Sequence, residues 1–132
     1  MSKDPARYTR SRTEKLGVKP GTHVALRGLS DSAFLTELGD AGAKVARRMG
    51  AGPYDIVLVR VDTIDELPAL ADARSRIASN GMVWAVWPKG KKTLREDDIR
   101  SFAIAAGLVD VKVMSFSDEL SGLKLVIPKA QR

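Results

Sequence analysis

The sequence predicts an α/β domain of three layers, in which a mostly parallel sheet lies between helices and ends in an antiparallel strand pair. Apolar runs bounded by turn residues alternate along the chain with segments of helical periodicity. Two of these runs, residues 56–59 and 82–87, are apolar without interruption, which indicates strands covered on both faces. The last two strand segments, residues 109–114 and 123–127, are joined across residues 117–122, a connection short enough for antiparallel pairing. We expect the final strand to return antiparallel at the edge of the sheet.

The first half of the chain contains three predicted strands and one helix. Residues 23–26 form the first strand, because a Pro-Gly turn delivers the chain into an apolar run. Ser30 or Asp31 then caps a short helix. Residues 43–46 are predicted as a brief second strand, and residues 54–61, which are rich in β-branched side chains, as the third.

The second half contains two predicted helices that flank a central strand. Residues 63–66 and 93–96 both match the capping-box pattern, so each should start a helix. The first of these helices should end at residues 80–81, and the second at Gly107. Between them, the strand at residues 82–87 contains both tryptophans and stops pairing before Pro88, which lacks the N–H that a ladder needs. Trp84 and Trp87 are three residues apart on this strand, so they point to opposite faces and are predicted to be core residues.

Composition excludes several classes of function. A chain of 132 residues fits one domain of common size. It has no cysteine and one histidine, His23, so disulfides and thiolate metal sites are excluded, and a histidine-rich metal centre is hard to assemble. No apolar segment has the length of a membrane span or the character of a signal peptide. We therefore expect a soluble, cytoplasmic protein without a membrane partner, a metal or a cofactor.

Positive charge is concentrated near the N-terminus. Of the net charge of +6, residues 1–27 contribute most, with seven basic side chains against two acidic ones. We interpret residues 1–15 as a flexible basic arm and residues 16–132 as a single α/β domain. A cationic arm of this kind can bind nucleic acid or another polyanion through phosphate contacts, with Tyr8 as a stacking residue. The nucleic-acid candidates are Arg7, Arg10, Arg12 and Lys15.

A second set of polar residues follows the predicted strands at their carboxyl ends, where open parallel sheets bind ligands. A small anionic ligand is the partner that this set predicts. Arg60 also stands at such an end, after the third predicted strand. The ligand-binding candidates are Arg27, Ser30, Asp31, Asp62, Lys89, Lys91 and Lys92. No nucleophile–base pair or metal set is recognisable in the sequence, so no catalytic residue is predicted.

Four segments together resemble a known family. They are residues 13–21, with the pattern KLGxKPG, residues 84–89, with WPK, residues 107–113, with GLVDVKV, and residues 121–124. Together they look like an uncharacterised bacterial family of small single-domain proteins, a domain of unknown function. The resemblance spans nearly the whole chain. It implies a single domain, and it implies no activity, substrate or catalytic residue.

The order of elements also resembles a shortened Rossmann-like methyltransferase, which would make the sheet Rossmann-like and place an S-adenosylmethionine site after the first strand. Such a site relies on several glycines, whereas the loop after this strand has one, Gly28. An acidic residue is expected near the end of the second strand to accept ribose hydroxyls, and this chain has Lys44, Arg47 and Arg48 there. Both departures argue against a bound cofactor.

Three functional hypotheses follow. The leading one is a non-enzymatic α/β binding or interaction module. The alternatives are a degenerate S-adenosylmethionine-dependent methyltransferase-like domain, and non-specific binding of nucleic acid or another polyanion through the basic arm. A homodimer is a further expectation if Leu123, Leu125 and Ile127 on the terminal strand are left uncovered.

Overall fold

A computed structural model describes residues 11–132. Strands alternate with helices through most of this part of the chain, and short 3₁₀ turns lie at Ile64–Glu66 and Lys129–Gln131. The helices are α1 (Arg12–Leu16), α2 (Ser32–Asp40), α3 (Pro68–Arg74) and α4 (Glu96–Ala105). The strands are β1 (His23–Arg27), β2 (Lys44–Ala46), β3 (Tyr54–Arg60), β4 (Ile77–Pro88), β5 (Val109–Ser115) and β6 (Leu120–Val126). None of the helices within residues 11–132 has the length and apolar character of a membrane span.

The strands form one sheet in the order β2-β1-β3-β4-β6-β5. Strands β2, β1, β3 and β4 are parallel, whereas β6 is antiparallel to both of its neighbours. The predicted fold class, α/β with a mostly parallel Rossmann-like sheet and a terminal antiparallel pair, is confirmed. The brief second strand is also confirmed, as β2.

The position predicted for the last strand is wrong. We expected β6 at the edge of the sheet, but it lies between β4 and β5, and β5 is the edge strand. The reason is burial: Leu123 and Leu125 of β6 are fully buried and Ile127 is nearly so, whereas β5 exposes Val109, Val111 and Val113. The condition for a dimer across an uncovered β6 is therefore not met.

Two layers of apolar side chains cover the two faces of the sheet. On one face, α3 and α4 pack on residues such as Val83 and Ala85. On the other face, Leu16 at the end of α1 and Phe34 of α2 pack with Trp84. Trp84 and Trp87 belong to opposite layers and are both buried, so the prediction that they are core residues is confirmed.

The structure differs from the predicted arm at its C-terminal end, where we expected no regular structure before Leu16. Helix α1 starts at Arg12, after a capping box in which the Ser11 hydroxyl accepts from the backbone N–H of Glu14. The indole N–H of Trp84 donates to the carbonyl of Leu16 at 3.1 Å, which attaches the helix to β4. Five residues are too few to give a periodic signal, so the cap and the burial of Leu16 define this helix. Residues 1–10 lie outside the described part of the chain, and the division into arm and domain stays a prediction there.

The helix predicted to run from residues 63–66 to residues 80–81 is also shorter than expected. The capping box at Thr63 starts a 3₁₀ turn, α3 ends at Arg74, and β4 already begins at Ile77. Gly81 is buried inside β4, where a Cβ atom would lie 2.8 Å from the carbonyl oxygen of Asp55. This glycine therefore allows close approach of two strands, and it does not end a helix.

Helix α4 begins later than its predicted capping box at residues 93–96. Its N-cap is Arg95, whose backbone N–H donates to the carboxylate of Asp98 at 2.9 Å. Leu94 is buried in the core, and residues 92–94 form a turn and a bend before the helix begins.

Candidate anion-binding site

Basic side chains follow all four parallel strands where these strands end. Because the strands run in the same direction, their carboxyl ends meet along one edge of the sheet, which is where such sheets bind ligands. Arg47 and Arg48 follow β2, Arg27 ends β1, Arg60 ends β3, and Lys89 follows β4. The structure divides these residues between two crevices.

The first crevice, which we call the arginine crevice, lies at the ends of β1 and β2. It has a volume of about 280 Å³ and is lined by Leu26, Arg27, Gly28, Arg47, Arg48, Met49 and Asp72. Ala25 lies opposite Ala46 in the parallel pair, so the residues that follow on both strands reach the edge together. The exposed guanidinium groups of Arg27, Arg47 and Arg48 therefore share one concave surface.

No ion pair within residues 11–132 involves these three arginines. The carboxylate that lines the crevice, Asp72, pairs instead with Arg76 at 3.0 Å, one turn further along the chain. The arginine crevice thus has three guanidinium groups and one carboxylate in its lining, and none of the three arginines is in an ion pair among the described residues.

The second crevice, which we call the lysine crevice, lies at the ends of β3 and β4 and has a volume of about 420 Å³. Its lining mixes cations with carboxylates and consists of Arg60, Pro88, Lys89, Lys91, Asp118, Glu119 and Leu120. Arg60 forms an ion pair with Asp62 at 3.1 Å, and the ammonium of Lys89 donates to the hydroxyl of Ser115 at 2.6 Å. Charges of both signs meet here, so the lysine crevice is less suited to an anion.

Gly28 separates the two crevices. It has a φ of 78°, which favours glycine, and a Cβ atom here would lie 3.2 Å from the Cβ of Arg60. The backbone after β1 can therefore pass close to the end of β3.

The ligand-binding residues predicted from the sequence are distributed unevenly. Arg27 lines the arginine crevice, and Lys89 and Lys91 line the lysine crevice. Two predicted carboxylates are engaged elsewhere, because Asp31 caps α2 by accepting from Ala33 at 3.1 Å and Asp62 pairs with Arg60. Ser30 and Lys92 are exposed and line neither crevice.

The residues predicted at the strand ends do not include Arg47 and Arg48. The signal is present in the sequence, since both follow a strand end, as Lys89 does. For Arg47 and Arg48 the rule was difficult to apply, because β2 has only three residues and weak strand propensity.

The four residues predicted to bind nucleic acid also differ in where they lie. Arg7 and Arg10 lie outside the described residues. Lys15 is partly buried on α1. The guanidinium of Arg12 pairs with Glu37 at 2.6 Å, donates to the carbonyl of Phe116 at 3.1 Å, and lies 4.7 Å from the ring centroids of both Phe34 and Phe116. Arg12 is thus bound within the fold.

No group of three or more histidine, aspartate or glutamate side chains within residues 11–132 is arranged to hold a metal ion. The described carboxylates near the sheet edge serve as caps and ion-pair partners, as Asp31, Asp62 and Asp72 illustrate.

Residues 14–129 match the model of a family described as a protein of unknown function, DUF3052. The chain belongs to the DUF3052 family. The resemblance to a domain of unknown function is therefore confirmed. No curated protein sequence matches the chain significantly.

Solved structures similar to this DUF3052 chain include several methyltransferases. Magnesium protoporphyrin IX methyltransferase from Synechocystis PCC 6803 with bound SAH gives a TM-score of 0.68 at 14% identity, covering 87% of this chain and 78% of that one. A SAM-dependent methyltransferase from Aquifex aeolicus gives 0.67 at 13% identity, covering 94% and 90%. The ribosomal protein L11 methylase from Lactobacillus delbrueckii subsp. bulgaricus gives 0.67 at 14% identity, covering 88% and 74%. At these identities the likeness shows a shared Rossmann-like fold.

Proposed function

We propose that the protein is a non-enzymatic binding module whose arginine crevice holds a small phosphorylated ligand. The observation that carries this proposal is the convergence of Arg27, Arg47 and Arg48 at the ends of β1 and β2, without a carboxylate partner among the described residues. Uncompensated guanidinium groups that line a concave surface favour an anion.

Phosphate is the anion that suits these side chains best. A guanidinium presents planar donors that match two phosphate oxygens at once, and such charge-assisted hydrogen bonds are stronger than neutral ones. In Rossmann-like folds, an arginine after the second strand accommodates a phosphate where an acidic residue would accept ribose hydroxyls. Arg47 and Arg48 follow β2 in this chain.

The size of the crevice limits the ligand. At about 280 Å³ it lies just below the range of roughly 300–1,000 Å³ that is usual for small-molecule sites. A mononucleotide or a sugar phosphate fits this volume better than a dinucleotide. Leu26 and Met49 supply apolar contacts for the part of the ligand that is not charged.

The second candidate is a methyltransferase-like domain that binds S-adenosylmethionine in the same crevice. The methyltransferase folds of the solved neighbours favour it. The charge of the cofactor argues against this candidate. Its sulfonium and ammonium groups outnumber its single carboxylate, so it carries a net positive charge that the three arginines would repel. The nucleic-acid hypothesis stays a prediction, and it now depends mainly on Arg7 and Arg10, since Arg12 is engaged with Glu37.

Isothermal titration of the full chain with AMP, adenosine, ribose 5-phosphate and S-adenosylmethionine tests the proposal. We expect AMP to bind more tightly than adenosine, and the double variant Arg47→Gln/Arg48→Gln to bind AMP at least about tenfold more weakly, because it loses charge-assisted hydrogen bonds. The matched control is Lys19→Gln/Lys44→Gln, which removes the same charge from two exposed lysines near the amino ends of β1 and β2.

Three outcomes would contradict the proposal. If AMP binding were weakened equally in the two double variants, only the net charge of the protein would matter for binding. Tighter binding of S-adenosylmethionine than of AMP, unaffected by Arg47→Gln/Arg48→Gln, would favour the methyltransferase-like candidate. Conversion of a bound ligand into product during the titration would overturn the non-enzymatic part.

A further inference from the structure

A row of side chains crosses the sheet on the face covered by α1 and α2, and it ends in two lysines. Leu58 of β3 lies opposite Trp84 of β4, and Trp84 lies opposite Lys124 of β6. Lys124 in turn lies opposite Lys112 of β5. Because residues directly opposite each other share a face, the layer that begins with buried Leu58 and Trp84 continues as Lys124 and Lys112.

The cover that α1 and α2 provide does not extend fully over the end of this row. Trp84 is fully buried, whereas Lys124 is partly exposed and Lys112 is exposed. Helices α3 and α4 pack on the opposite face. Half-buried or exposed apolar side chains surround the two lysines on the same face. We call this surface the open face, and it consists of Met82, Val109, Lys112, Met114, Lys124 and Val126.

The two lysines are an unfavourable pair in the isolated chain. Like charges directly opposite each other on neighbouring strands destabilise a sheet. Burial, and to a smaller degree the charge of Lys112, lowers the pKa of Lys124. Neither ammonium forms an ion pair with another of residues 11–132, and Asp110, the carboxylate on the same strand, is bound to Arg100 on the other face. The open face thus presents two adjacent cations that lack acidic partners among the described residues.

We propose that the open face docks an acidic amphipathic helix of a partner protein. Such a helix would extend the layer that α1 and α2 begin. Its apolar side chains would pack on Met82, Val109 and Val126, and its carboxylates would pair with Lys112 and Lys124. Binding would relieve the repulsion between the lysines and cover the apolar side chains in one step. This proposal does not depend on a ligand in the arginine crevice.

Charge argues against two other occupants. A second copy of the chain, docked through the same face about a two-fold axis, would bring lysines against lysines. Residues 1–10 carry Lys3, Arg7 and Arg10 against the single acidic Asp4, so they have the sign of the open face. Strand addition at the edge of β5 is disfavoured as well, because the register shifts between Asp110 and Lys112, and such bulges interrupt an edge.

The experiment is a selection of displayed helical peptides, about 16 residues long and randomised on one face, against the immobilised full chain. Counter-selection uses the variant Lys112→Glu/Lys124→Glu. The matched control is Lys19→Glu/Lys44→Glu, which makes the same charge change outside the open face. We expect selected peptides to combine aspartate or glutamate with leucine-like residues. Their affinity for Lys112→Gln/Lys124→Gln should be at least about tenfold weaker, and the control should bind them within about twofold.

Amide shifts in NMR spectra of the complex then locate the bound peptide. Shifts confined to β5, β6 and the neighbouring part of β4 support the proposal. It is overturned if no peptide distinguishes the chain from the Lys112→Glu/Lys124→Glu variant, if selected peptides lack acidic residues, or if the shifts lie at the arginine crevice. Displacement of the peptide by an equimolar DNA duplex would reassign the face to nucleic acid and overturn it too. Circular dichroism of every variant checks that each one is folded.

Discussion

Arginine residues have opposite roles in two regions of this protein. At the junction of α1 and α2, Arg12 is only 18% exposed, and its guanidinium contacts Glu37, Phe34 and Phe116. In the arginine crevice, Arg27, Arg47 and Arg48 are exposed and have no carboxylate partner among the described residues. An arginine thus stabilises the fold where partners converge on it, whereas arginines brought together without partners are available to a ligand.

Replacement of Arg12 should have the largest effect on stability. The variant Arg12→Ala loses a partly buried ion pair, a hydrogen bond to the carbonyl of Phe116 and two cation–π contacts. We expect its free energy of unfolding to fall by about 2–3 kcal/mol, because Glu37 is also left without its partner. Urea denaturation followed by tryptophan fluorescence measures this loss.

Arg47→Ala is the matched control, and it should change the free energy of unfolding by less than about 0.5 kcal/mol. The contrast between the two regions would fail if Arg47→Ala destabilised the fold as much as Arg12→Ala. It would also fail if Arg12→Ala left stability unchanged, since the contacts of Arg12 would then contribute nothing net.

Arg100 is intermediate between Arg12 and the arginines of the crevice. Its guanidinium joins the first turn of α4 to β5 through Glu96, Asp97 and Asp110. The hydrogen bond that the Arg100 guanidinium donates to Asp110, followed by the one it donates to Glu96, raises the pKa of Arg100. Because this network is more exposed than the site of Arg12, solvent and salt screen it.

The variant Arg100→Gln should therefore lower the melting temperature by less than Arg12→Ala does. The loss should shrink when the salt concentration is raised from about 0.05 M to about 1 M, whereas the loss in Arg12→Ala should persist because packing on two rings is not screened. Differential scanning calorimetry at both salt concentrations makes the measurement. A loss in Arg100→Gln that does not depend on salt would mean that this network also acts through packing.

The fold could be predicted from the sequence where local pattern and burial agree. Residues 56–59 and 82–87 are apolar throughout, and they form the interior strands β3 and β4. The order of the last two strands could not be predicted in the same way, because both β5 and β6 alternate and only tertiary burial decides which one is interior. The prediction that a helix ends at Gly81 is wrong for a related reason. This glycine is needed because the carbonyl of Asp55 on the neighbouring strand lies close to it, which its own segment does not reveal.

The candidate site was predictable at the level of the sheet edge and not at the level of its residues. The strand-end rule selected Arg27, which lines the arginine crevice. It could not show that Asp62 is bound by Arg60, or that Arg12 is bound by Glu37, because these contacts are fixed only when the side chains pack. The pairing of Lys112 with Lys124 depends on strand register, and a register shift lies beside it.

The smallest expected effect concerns Lys124, a cation that is neither bound like Arg12 nor fully exposed like Arg47. The variant Lys124→Met removes the repulsion from Lys112 and the cost of partial burial, while it keeps an apolar stem next to Trp84. We expect the free energy of unfolding to rise by about 0.5 kcal/mol near neutral pH. Lys44→Met, at an exposed lysine of β2, is the control and should not show this gain.

The pH dependence of stability distinguishes removal of the disfavoured charge on Lys124 from a simple gain of apolar surface. The pKa of Lys124 is lowered below its ordinary value of 10.5, so the unfolded chain holds this proton more tightly than the folded one. As the pH rises through the folded-state pKa towards 10.5, the folded state loses the proton first, and the wild-type chain gains stability relative to Lys124→Met. The advantage of the variant should therefore shrink between neutral pH and pH 10.5, as chemical denaturation over this range would measure. If the stability advantage of Lys124→Met did not change with pH, the charged form of Lys124 would not be disfavoured in the folded state. One of the observations that favour an acidic partner at the open face would then be lost.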